Sequence, residues 1–79
     1  MTRDELQAKL VAKGVHPGLY SLDGLAEQSE CYSVVREGGL WKVVYKERGQ
    51  ITEIATGLSE SEAYDLVYSK FRKTYGWQS

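Results

Sequence analysis

The spacing of apolar residues changes twice along this chain. Leu6, Leu10 and Val11 fall on one side of a helix, and Thr2 with Glu5 three residues later has the spacing of a capping box. Gly14, which can adopt the left-handed conformation that ends helices, and Pro17 beyond it place the stop near Lys13. From Cys31 the period becomes two. A two-residue turn at Gly38-Gly39 sets Glu37 against Leu40, and counting back pairs Arg36 with Trp41, Val34 with Val43 and Tyr32 with Tyr45. Those side chains share one face, the expected core, while Ser33, Val35, Leu40, Lys42 and Val44 share the other. After Gly57 the helical period returns. Ser59 and Glu62 form a second capping box, Ala63, Leu66, Val67 and Phe71 make a stripe that Tyr64, Tyr68 and Tyr75 widen, and Gly76 is the expected stop. A helix from Glu60 to Tyr75 runs about 24 Å, enough to cross a three-stranded sheet.

The stretch LWKVVYKERGQ, residues 40–50, ends its apolar run abruptly at Glu47-Arg48-Gly49. A four-residue loop from Lys46 to Gly49 opposes Tyr45 to Gln50, Val43 to Thr52 and Trp41 to Ile54, and sets Lys42 against Glu53. An odd loop length would instead aim Glu53 at the buried face. Glu47 and Arg48 are therefore expected at an exposed hairpin tip, where a carboxylate and a guanidinium with no cavity or third partner serve a turn or a surface contact rather than catalysis. Residues 14–30 hold three glycines and the only proline, with Leu19, Tyr20, Leu22 and Leu25 spaced too irregularly for a regular element. They read as an ordered connector. The expected architecture is one α+β domain over residues 1–79: two layers, a three-stranded antiparallel meander and a helix at each end, in the order α-β-β-β-α.

Size and charge narrow the functional classes. A chain of 79 residues buries only about 60–65% of the surface its unfolded form exposes, which leaves little volume for a deep catalytic cavity. Ten Lys and Arg against eleven Asp and Glu give a net charge of -1, unlike a protein that tracks many phosphates. The single cysteine, Cys31, has no internal disulfide partner, the charged residues of MTRDELQAKL interrupt any signal-peptide core, and no apolar run approaches a membrane span. A cytoplasmic protein with no membrane association is expected.

Candidate chemistry is sparse. His16 is the only histidine, in a loop, with no Ser or Cys nucleophile beside it in sequence. Cys31 opens a strand and needs a nearby cation or helix N-terminus to become a nucleophile. No Cys and His pair has zinc spacing, no loop has calcium spacing, and the glycines fall in hairpins rather than between a strand and a helix. Neither metal, cofactor nor enzymatic activity is expected. Five of the six tyrosines, at 32, 45, 64, 68 and 75, read first as core rings with hydroxyls at the edge, and second as the walls of a shallow recognition surface. Glu53, Glu60, Glu62 and Asp65 form an acidic cluster, with Lys70, Arg72 and Lys73 at the far end of the last helix, an order that the helix dipole favours.

Double-stranded-RNA-binding domains share the α-β-β-β-α order, but they place lysines where this chain has Ser59-Glu60-Ser61-Glu62, and that acidic start repels RNA. The arm-binding domains of phage integrases insert a three-stranded sheet into DNA, for which Val35, Leu40 and Val44 are poorly suited. More closely, Ser21-Leu22-Asp23-Gly24, then Trp41, Val43 and Tyr45 running into Glu47-Arg48-Gly49, then Ser59-Glu60 with Glu62-Ala63 opening a helix, resemble small bacterial immunity proteins of polymorphic-toxin and contact-dependent inhibition systems. The resemblance covers roughly residues 20–65 and implies a non-enzymatic protein that binds and neutralises a cognate toxin domain. The alternative is a small nucleic-acid-binding regulator using Lys42, Lys46 and Arg48.

A partner surface follows from the alternation. If both helices cover the aromatic face, the other presents Val35, Leu40, Val44 and Ile51, flanked by Lys42 and Glu53 and closed at one end by Glu47 and Arg48. That face takes a protein partner or a second copy of the chain, or else the first helix or residues 19–25 fold over it. Glu60, Glu62 and Asp65, with Glu53, are the second candidate surface.

Overall fold

Both helices begin where their capping residues dictate. In the computed structural model, which describes residues 1–77, α1 spans Arg3–Ala12 and α2 spans Glu60–Tyr75. The Glu5 N–H donates to Thr2 Oγ1 at 3.1 Å while the Thr2 N–H donates to Glu5 Oε1 at 2.9 Å, and Ser59 with Glu62 repeats the exchange at 3.1 and 2.9 Å. Each exchange satisfies backbone donors that a helix start leaves without intrahelical partners. Gly76, at φ 72°, ends α2 in the left-handed conformation.

Between the helices lie β1 (Tyr20–Ser21), β2 (Cys31–Glu37), β3 (Leu40–Glu47) and β4 (Gln50–Leu58), in the spatial order β1-β2-β3-β4. The β2–β3 pairing is the counted one, with Tyr32 opposite Tyr45, Val34 opposite Val43 and Arg36 opposite Trp41. The sheet is nevertheless four-stranded and mixed, not a three-stranded antiparallel meander. Tyr20 and Ser21 pair in parallel with Tyr32 and Ser33, and Gly24 N–H extends the contact by donating to Val34 O at 3.0 Å. The supposed irregular connector thus contains a 3-10 turn at Pro17–Leu19 and an edge strand.

The second hairpin is also tighter than the sequence suggests. Glu47 pairs with Gln50, so the loop is only Arg48-Gly49, with φ of 50° and 80° at the two positions. Both central residues therefore have the positive φ that a type I′ turn demands. Two and four are both even, so each side chain up to Glu53 keeps its expected face. Beyond Glu53 the register shifts: Val43 pairs with Ala55 and Trp41 with Leu58, which leaves extra residues on β4. Ile54 still packs on the core.

The inner face of the sheet carries that core. Val34 and Val43 meet Ala63, Tyr64, Val67 and Phe71 of α2, while Leu6, Leu10 and Val15 close one side and Tyr20 and Leu22 another. The Tyr64 hydroxyl, buried, donates to Leu22 O at 3.2 Å and ties α2 to the chain leaving β1. Trp41 is half-buried, its ring 5.9 Å from that of Tyr64.

Candidate functional site

The outer face of the sheet is partly covered, and the cover comes from Ala26 and Glu27, where the chain runs from β1 to β2. Ala26 is buried there, its N–H donating to the buried Ser33 Oγ at 3.0 Å. Lys46 fastens the same segment, its ammonium donating to Ala26 O at 3.3 Å and Glu27 O at 2.9 Å. Cys31, Ser33 and Val44 lie buried on this face, Val44 with only 2% of its surface exposed. Val44, placed by the sequence at the centre of an open patch, is a core residue of a second small cluster. The cover is therefore not residues 19–25: Leu19 and Leu22 pack with the inner-face core and Leu25 is exposed.

What stays open lies on either side of that cover. Leu40 and Ile51 are 54% and 50% exposed, and Val35 is half-buried. On the same face, Lys42 Nζ lies 2.8 Å from Glu37 Oε2 and 3.2 Å from Glu53 Oε2. Its hydrogen bonds to Glu37 and Glu53 hold the ammonium pKa above its ordinary value. The sequence set Lys42 directly opposite Glu53, whereas Glu53 pairs with Val44 and reaches Lys42 from the next position; it missed Glu37, whose place at the hairpin shoulder is readable from the Gly38-Gly39 register. Glu47 and Arg48 sit exposed at the tip of the second hairpin. β4 is an edge of the sheet, hydrogen-bonded to β3 alone.

The second candidate surface is tied up locally. Glu62 is spent on its capping box, and Asp65 Oδ1 lies 2.7 Å from the Met1 ammonium, which also donates to Ser61 Oγ at 2.8 Å. Glu60 is exposed in the first turn of α2.

The reactive side chains have structural occupations. His16 Nδ1 accepts from Gly18 N–H at 2.9 Å, which fixes the ring at the start of the 3-10 turn. Burial pushes the Cys31 thiol pKa up, partly offset by a hydrogen bond with Ser33 and by the charge of Lys46, so the thiolate is disfavoured at neutral pH. Among the described residues no three His, Cys, Asp or Glu side chains are grouped to hold a metal ion, and no helix is long and apolar enough to cross a membrane. In comparisons with known proteins, no family model, curated protein or solved structure matches the chain.

Proposed function

We propose that this chain is a non-enzymatic protein-binding module of the immunity type, which neutralises a cognate bacterial toxin domain by occupying part of its surface in the cytoplasm. The observation that carries the reading is the exposure of Leu40 and Ile51 beside the Lys42, Glu37 and Glu53 ion-pair network, on a sheet face that is only partly covered. Apolar side chains rimmed by paired charges suit a protein interface, where the apolar part supplies affinity and the rim sets orientation. The resemblance of residues 20–65 to immunity proteins names the kind of partner. A second copy of the chain using the same face is a competing occupant.

The nucleic-acid alternative loses ground on geometry. Of its three bases, Lys42 is paired with two carboxylates and Lys46 is bound to the carbonyls of Ala26 and Glu27, which leaves Arg48 at the hairpin tip. Salt separates the two readings. Duplex DNA binding that falls steeply as salt rises, with no protein complex formed, overturns the proposal; a complex with the toxin domain that tolerates salt supports it.

A further inference from the structure

Where β2 begins and β3 ends, four aromatic rings surround a surface recess of about 190 Å³. Tyr32 and Tyr45 face each other across the strands with centroids 4.8 Å apart. Phe71 of α2 meets Tyr32 edge to face at 5.4 Å, and Tyr75, one turn further along the helix, stacks parallel to Phe71 at 6.2 Å. Tyr75 is half exposed and also stacks parallel to Trp77 at 5.6 Å, so two neighbouring rings hold its orientation at the recess. Glu30 adds a carboxylate to the lining, and no lysine or arginine is among the described residues that line the recess. Glu30 is held at φ 57°, a left-handed conformation that a residue with a side chain seldom adopts.

These features select a ligand by charge and shape. The faces of aromatic rings are electron-rich and attract cations, and a carboxylate beside them repels anions. The local field is negative already: burial raises the Tyr45 phenol pKa, and the charges of Glu47 and Glu30 raise it further. A quaternary ammonium offers no hydrogen bond to Glu30, whereas a planar guanidinium lies flat on a ring and turns its N–H edge to a carboxylate. The volume suits the end of one side chain rather than a whole metabolite. We infer that this recess receives the guanidinium of an arginine projecting from the partner protein, with Glu30 as its counter-ion and Tyr32, Tyr45 and Tyr75 as its walls. The source of the arginine rests on the binding-module proposal; the chemistry of the recess does not.

The test uses the full chain and a capped tripeptide with arginine at its centre, titrated at low salt while the tyrosine ring resonances are followed by NMR. Saturable shifts of Tyr32, Tyr45 and Tyr75 in the millimolar range are expected. Replacing arginine by uncharged citrulline should weaken binding by roughly tenfold, and Glu30→Gln and Tyr75→Ala should each weaken it roughly three- to tenfold. Both positions are exposed, and retained circular dichroism confirms that the variants fold. Equal shifts with the citrulline peptide, equal affinity for tetramethylammonium, or no saturable shift overturns the inference. A chain that ignores the peptide yet still complexes the toxin domain refutes the recess alone; one that takes the peptide but no toxin domain refutes the immunity reading alone.

Discussion

The backbone N–H of Ala26 donates to the hydroxyl of Ser33 across 3.0 Å, with both residues buried on the outer side of the sheet. This bond joins the connector to β2 and decides which part of the outer face a partner can reach. Ser33→Ala leaves a buried donor without its acceptor and should cost about 1–3 kcal/mol in urea unfolding. A loss below about 0.5 kcal/mol would mean that the segment does not lie over Ser33.

Val44 and Ile51 lie on the same face but should respond differently to a charge. Val44→Glu buries an uncompensated carboxylate, a penalty of about 3–5 kcal/mol that rivals the whole stability of a small domain. It should abolish the native circular dichroism and the cooperative melt. Ile51→Glu, at a half-exposed position, should stay within about 0.5 kcal/mol of the parent. A folded Val44→Glu protein would contradict the covered face.

The Arg48-Gly49 turn sets a side-chain-bearing residue at φ 50°, where asparagine is better accommodated. Arg48→Asn should raise stability by about 0.5–1 kcal/mol, and Gly49→Ala, at φ 80°, should lower it by about 1 kcal/mol or more. Chemical denaturation of the pair checks the turn type. Equal effects of the same sign would rule it out.

Acid should loosen the start of α1 through Glu5. Its carboxylate accepts from the Thr2 backbone N–H and interacts with the Thr2 hydroxyl, which lowers its pKa below the ordinary value. The unfolded state therefore binds this proton more readily. The stabilisation is complete above the ordinary carboxylate pKa and is lost as pH falls through the depressed folded value. Glu5→Gln keeps an acceptor at the third helical position but cannot titrate, so its stability should vary less with pH in the acid range. Identical acid profiles for the two proteins would remove Glu5 as a contributor.

How far the fold could be read from sequence differed between elements for physical reasons. The helix limits and the β2–β3 register were legible because capping boxes and Gly38-Gly39 act within a few residues. β1 was not: Tyr20 and Ser21 show no alternation over two positions, and their parallel pairing with Tyr32 and Ser33 is fixed only by tertiary contact. The second turn was misjudged by two residues because Arg48 does not advertise a positive φ, yet even parity kept Ile51 and Glu53 outward. Burial of Val44 stayed open between an exposed patch and a cover by the first helix or residues 19–25, because Ala26, a small residue in an aperiodic stretch, gives no sign that it packs on this face beside Ser33. The aromatic recess was foreshadowed in part, since Tyr32, Tyr45 and Tyr75 were among the tyrosines read as candidate walls of a shallow recognition surface. Glu30 and Phe71 join it from distant parts of the chain.

The proposal is tested most directly by a calorimetric titration of this protein against the product of the neighbouring reading frame, which the immunity reading expects to be a toxin domain, with the Leu40→Glu, Ile51→Glu double variant in parallel. A saturable one-to-one complex that silences the toxin, weakened about a hundredfold or more in a double variant that still melts cooperatively, is the expected result. Absence of any complex with the wild-type chain would contradict the immunity reading, and undiminished affinity in the folded double variant would remove the outer sheet face as its binding surface.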